Sequence, residues 1–359
     1  MILTPFLLVL SACDQESGQG GDDQDTIAAF SGPSEETTFA GAYLSSRVAQ
    51  SRFDWSRAEG FLGQAIQKKA DTDGALARRL MLLALGSGDV DTAAKWAEQL
   101  KQGGDTTGLT HFIRFIQGVR HHDLKSARAA MTQMPGNALS KFAVPLLTAW
   151  LDAGQVHDAN GKDLPPSAQA LQGNGVYAYH QILMADYLGH LDEPLSSMAL
   201  ARTRDTITPM SAEQLGDIFM RAKRFDIAVE FYQLARTGNP HLVGIEARVK
   251  AAEAKAETLP DGLHLAPRID TVVQGVAASL FDMASTFYND QSYESALVFA
   301  RMSLALDQNL SEAQLLIGSI LATHQRLDES IAIYDQIPKS DQRYFAIQQK
   351  VASLRVDQG

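Results

Sequence analysis

Cysteine is all but missing from this chain of 359 residues, Cys13 being the single example. An internal disulfide and any cysteine-based metal site are thereby excluded. Stretches alternating Val, Ile and Thr, which would mark strands, are nearly absent. No Lys or Arg precedes Arg47, and no Lys/Arg stripe follows it, so there is no electrostatic footprint for nucleic acid. The nucleophile elbow, the phosphate-cradling glycine loop and the helical His-Glu-x-x-His stretch are all missing. His121-His122-Asp123 and His157-Asp158 lack the one-turn spacing and second pair of ligands that a zinc site needs. Polar residues at a turn between helices account for the first of them. The expectation is a protein with no catalytic residues, no metal and no cofactor.

What the chain does have is Ala, Leu, Gln, Arg and Asp in helical spacing, which points to an all-α body. Its net charge of −11 is unevenly spread. Asp14, Glu16, Asp22, Asp23, Asp25, Glu35 and Glu36 fall in residues 14–38, leaving a nearly balanced body. Such a segment, rich in Gly, Ser and Gln with few large apolar side chains, is expected to be a flexible acidic tether over residues 13–38. Its reach would be roughly 25–30 Å. Ahead of it Met1 to Val9 form an apolar run too short to span a bilayer but of signal-peptide length. Leu10-Ser11-Ala12-Cys13 resembles the bacterial lipobox, although no basic residue precedes it. That resemblance implies a signal peptide over residues 1–12, lipidation of Cys13 and a membrane anchor, with the body facing the periplasm. The competing reading is a cytoplasmic protein with an incidental apolar start.

From Phe39 onward the sequence repeats itself with a period of 34 residues. In 209–242, Leu215 and Gly216 pair a large with a small residue, followed by Phe219, Phe225, Ala228, Tyr232, Ala235 and a terminating Pro240. Small residues mark where antiparallel helices cross closely, and the large ones fill the space between crossings. This segment resembles the tetratricopeptide repeat, and the tethered whole resembles bacterial lipoproteins of that family of the alphaproteobacterial type. The resemblance implies a right-handed superhelical α-solenoid of antiparallel helix pairs. Units are expected to start at 39, 74, 108, 142, 175, 209, 243, 277 and 311.

Two units depart from the pattern. Pro165, Pro166, Gly173 and Asn174 disturb the second helix of 142–174. In the unit from 243, the first helix should end near Glu257, and Pro260, Gly262 and Pro267 make a loop. A single long helix should then start near Ile269 and run through Thr286. The loop is read as a break, and a hinge, between an amino-terminal array (39–257) and a carboxyl-terminal one (268–359). A last helix from about Phe345 would be a cap or the opening of a further repeat.

In this architecture first helices line a concave groove. The register places Tyr43 and Arg47, Arg78 and Leu82, Phe112 and Ile116, Leu146 and Trp150, Tyr179 and Leu183, then Glu213 and Asp217 along it. Tyr43, Arg47, Arg78, Phe112, Ile116, Trp150, Tyr179 and Leu183 are the candidate protein-binding residues, being of the types enriched at interfaces. The same side chains would suit a tightly wound core or a self-association surface. The function expected is a scaffold of the bacterial envelope that binds a peptide or helix of a partner protein. Alternatives are a cytoplasmic adaptor and an accessory subunit of an envelope polysaccharide or peptidoglycan system.

Overall fold

The computed structural model describes residues 38–68, 74–173, 175–191, 207–260 and 262–358. Cys13, the signal peptide, nearly all of the acidic tether and Pro194 lie outside them. The described residues form seventeen α-helices and no strand. In chain order these are α1 (Phe39–Ser51), α2 (Trp55–Lys68), α3 (Ala75–Ser87), α4 (Val90–Gln102), α5 (Gly108–Arg120) and α6 (Leu124–Met131). Then come α7 (Ala138–Asp158), α8 (Pro166–Gln169), α9 (Gly175–Leu188), α10 (Pro209–Arg221), α11 (Phe225–Gly238) and α12 (Ile245–Glu253). The last five are α13 (Val272–Asn289), α14 (Tyr293–Leu306), α15 (Ser311–Thr323), α16 (Leu327–Tyr334) and α17 (Tyr344–Asp357). Consecutive helices pack as antiparallel pairs that stack on one another, an α-solenoid.

The 34-residue period has a backbone counterpart at the turn inside each pair. Phe53, His122, Lys223, Gln291 and Gln325 all adopt the left-handed conformation there. The next residue's N–H reaches five residues back: Asp123 to Gly118 O, Arg224 to Phe219 O, Ser292 to Phe287 O and Arg326 to Leu321 O. This hydrogen bond caps the carbonyls left over at the end of each first helix. His122 therefore belongs to a recurring turn, and the His121-His122-Asp123 run needs no ligand to explain it.

Side chains set the crossings. A Cβ added at Gly216 would sit 2.4 Å from the Tyr232 ring, and one at Gly318 would sit 2.4 Å from that of Tyr334. The two glycines are three periods apart and serve the same close approach, where only a missing side chain leaves room for the aromatic ring. Leu215, Phe219, Ala228, Tyr232 and Ala235 are all fully buried.

The irregular units differ from the plain pattern for local reasons. Asn137 and Ser140 form a reciprocal capping box that starts α7 at Ala138, four residues earlier than the period places it. Pro165 and Pro166 leave only the four-residue α8 in place of a second helix. Thr271 and Gln274 form a second capping box, which starts the long α13 at Val272. The loop before α13 is tied down on both sides. Ala266 donates its N–H to Asp217 Oδ2 (2.7 Å) and accepts from Arg221 (2.5 Å), while Arg248 donates to His264 O (2.8 Å). One hydrophobic cluster runs from Ala42 to Ile333, so both arrays share a core.

Candidate protein-binding surface

The first helices α3, α5, α7 and α9 do line one face of the stack, and that face is occupied. The hairpin α13–α14 of the same chain lies against it, α13 on α7 and α9, α14 on α3 and α5. The Phe112 ring meets the Phe299 ring of α14 with centroids 5.6 Å apart. Trp150 of α7 packs over Gly275 of α13, where an added Cβ would fall 2.2 Å from the indole. The indole N–H of Trp150 donates to His180 Nδ1 (3.0 Å), and His180 Nε2 bonds to Asp282 Oδ2 of α13 (2.9 Å). Farther along, Gln50 donates to Glu294 (3.3 Å), Phe53 stacks on His324 with centroids 3.5 Å apart, and Asp54 pairs with Arg326 (3.1 Å). The turn after α1 thus touches the turn after α15, and the stack closes on itself.

This corrects the expected open groove. Phe112, Ile116, Trp150, Tyr179 and Leu183 are all buried, with Leu146 beside them. They are core residues between the two arrays and present no surface to a partner in this arrangement. Tyr179 donates its hydroxyl to Gln214 (2.6 Å), and burial, reinforced by the Asp282 and Glu312 charges, pushes its phenol well up. Arg78 is committed to Asp105 (3.1 Å), a buried carboxylate that also accepts from Thr107 and Thr110. Burial works to raise the Asp105 carboxyl, but those three donors outweigh it and hold it low.

The α1 portion of the stripe is its most open part, and Arg78 and Leu82 of α3 are half-buried. Arg47 is exposed, and Tyr43 is half-buried, stacked on Phe39 and capped by the Arg79 guanidinium 5.8 Å from its centroid. Beside them stand Leu44 and Val48, 61% and 49% exposed, one helical turn apart. Leu44 and Val48 were not among the expected residues. Their i, i+4 spacing on a first helix was the signal available for them.

The expected groove residues Glu213 and Asp217 form an internal ion cluster instead. Fully buried Arg248 meets Asp217 Oδ1 at 3.1 Å and Glu213 Oε1 at 3.2 Å, and it donates to Gln342 at 3.0 Å. Tyr232 donates to the same Asp217 oxygen at 2.6 Å. Around this cluster a cavity of about 310 Å³ opens between α10, α15 and the loop before α13. At its far side Arg343 bridges Glu312 (2.9 Å) and Asp341 (2.8 Å). Burial raises the Asp341 carboxyl, but its hydrogen bonds with Arg343 prevail and hold it at about 2.

Burial lifts the Glu213 carboxyl to about 6 despite the Arg248 charge, with Asp217 adding to the rise. A carboxyl raised above its unfolded value binds protons more tightly in the folded state. Its contribution is therefore present below about 4.5 and is lost as pH climbs through about 6. The Glu213→Gln variant should lose that part of the pH dependence. The check is a comparison of melting temperatures at pH 4.5 and 7, where an unchanged slope would contradict the assignment.

Among the described residues no group of three His, Cys, Asp or Glu side chains is placed to hold a metal ion, and no helix is long and apolar enough to cross a membrane. Compared with known proteins, the chain matches no family model and no curated protein. Among solved structures it is similar to yeast Tom70, at 8% identity over 89% of this chain and 96% of that one, with a TM-score of 0.25. A likeness that low adds nothing to the architecture read from the helices themselves.

Proposed function

We propose that this protein is a non-catalytic scaffold of the bacterial envelope, anchored through lipidated Cys13 and facing the periplasm, which binds helices of partner proteins. The observation that carries the binding role is the docking of α13–α14 on the first-helix face. A face that holds an apolar hairpin from its own chain has the shape and apolar chemistry for helix-in-groove recognition. The partner helix would engage the uncovered end of that face at Tyr43, Leu44, Arg47 and Val48, where an aromatic, two aliphatics and an Arg supply the usual anchor types. The anchor reading is supported by the Leu-Ser-Ala-Cys context and the acidic segment behind it.

A photo-crosslinking residue at position 47 tests the surface in membranes from the native host, with position 98 on the outer helix α4 as control. Adducts to a distinct envelope protein at 47 and not at 98 support the reading. Equal labelling at both positions contradicts it, and an adduct of twice the chain's mass would assign the surface to self-association.

Replacing Cys13 with Ser should move the protein from the membrane to the soluble fraction and abolish incorporation of labelled fatty acid. Stable anchoring needs more than one acyl chain, so the shift should be nearly complete. A wild-type protein that takes no label and fractionates with cytosol would overturn the localisation.

A further inference from the structure

The last described helix, α17, is covered on one side only. Its Ile347, Val351 and Leu354 are buried against Tyr334 and Ile337 at the end of the stack. Its outer side carries Phe345, Gln349, Ala352 and Val356, all exposed, at successive spacings of four, three and four residues. Such spacing makes one seam along a helix, the kind that a second helix covers. Phe345 and Val356 are 81% and 78% exposed, more than any other large apolar side chain among the described residues. The outermost helix of a stack ordinarily turns a polar face to water.

The repeat shows what this face is for. Ala352 stands one period after Gly318 and two after Ala284, at the small-residue place that Gly216 fills earlier in the chain. Gly216, Ala284 and Gly318 are buried, and the Tyr232 and Tyr334 rings from the second helix of the same pair cover the two glycines. Ala352 is exposed. The outer stripe of α17 is therefore a second-helix site without a described helix in it, continuous with the interfaces that build the stack.

Charge is kept off the stripe. Lys350 turns back to Ser319 Oγ (3.0 Å) and over the Tyr334 ring, 5.2 Å from its centroid, and Arg355 turns to Asp335 (3.3 Å). An aromatic, an amide, an Ala and a Val remain, at spacings that read the same in both directions. A two-fold axis between Lys350 and Val351 would lay Phe345 of one copy against Val356 and Ala352 of another, with Gln349 opposite Ala352. Each copy would then supply the ring and the small residue that Tyr232 and Gly216 supply inside a unit. On the flanks Ala346 would meet Ser353 and Gln348 would meet Arg355, so no like charges come together.

We infer that α17 pairs antiparallel with α17 of a second copy of this chain. The same patch on both copies gives a closed two-fold dimer, distinct from the α1 surface. One helix pair falls short of the about 1,200 Å² that a stable interface buries, so the dimer should be weak and should form as concentration rises.

Sedimentation equilibrium of the full chain in a Cys13→Ser background tests this from micromolar to sub-millimolar concentration. The mass should climb from one chain towards two. Phe345→Glu and Ala352→Glu should each weaken association at least tenfold, as expected of a central anchor. Both should melt like the parent, because the altered side chains are exposed. Leu44→Glu/Val48→Glu on α1 should dimerise as the parent does. For geometry, differently tagged Gln349→Cys and Ala352→Cys chains, each with a single thiol, are mixed and mildly oxidised, and the mixed disulfide should outweigh both like-with-like products. A mass of one chain throughout, association unchanged by Phe345→Glu, association lost in the α1 variant, or no excess of the mixed disulfide would each overturn the inference.

Discussion

Trp150→Ala should destabilise the protein by roughly 3–5 kcal/mol, the usual result of emptying a large buried aromatic site. The indole is fully buried, packs edge-on to His180 with centroids 6.0 Å apart and covers Gly275 of α13. Its removal leaves a cavity at the contact between α7 and α13 and takes away the donor to His180 Nδ1. Thermal or denaturant unfolding would show the loss directly. A Trp150 that served instead as an exposed anchor for a partner would melt within about 0.5 kcal/mol of wild type when truncated. Normal melting of Trp150→Ala would restore the open-groove reading.

The second large effect is expected at Arg248. Arg248→Met strands Asp217 and Glu213 in a buried site without their cation, and breaking such a pair costs roughly 3–5 kcal/mol. Part of the loss should return in the double variant Arg248→Met/Asp217→Leu, since removing both partners leaves fewer uncompensated groups. Glu213 would then take up a proton more readily, being already poised near 6. Denaturant midpoints of the two single variants and the double variant measure the coupling. Additive losses would mean that the cluster is not a unit.

The helix-pair period was readable because small and large residues recur at fixed offsets, and the backbone repeats with them. First helices begin at 39, 75, 108, 175, 209 and 311, within one residue of expectation. The starts at 138 and 272 shifted because a capping box overrides the period locally. Even the long helix through Thr286 was legible, from the single uninterrupted apolar pattern after Pro267.

The occupant of the concave face was not. Register says which side of a first helix faces inward, and it is silent on what lies there. Phe112 and Phe299 are far apart in the chain, and a Phe at an inward position suits a partner's helix and the chain's own hairpin equally well. One clue existed: α13 and α14 are apolar around most of their circumference, as Gly275, Val276, Leu280, Val298 and Phe299 show. A helix apolar on several sides is covered on several sides. Packing on each other and on α15 could not use all of those faces. The loop before α13 shows the same limit. Its Pro and Gly residues mark irregular backbone, yet its carbonyls and N–H groups are held by Arg221, Arg248 and Asp217 from the preceding units.

The central claim is that the first-helix face is filled by the chain's own α13–α14 hairpin, and a cross-strut between α7 and α13 tests it most directly. A Cβ at Gly154 would stand 3.5 Å from the Cβ of Val272, a separation that a disulfide accepts. In a Cys13→Ser background, which has no other thiol, the Gly154→Cys/Val272→Cys variant should close this bond on mild oxidation. Thiol titration of the unfolded chain should then find none free, and the oxidised protein should melt higher than its reduced form. Two titratable thiols under the same oxidising conditions, with each single variant folded, would show that α13 does not lie on α7 and that the groove stands open.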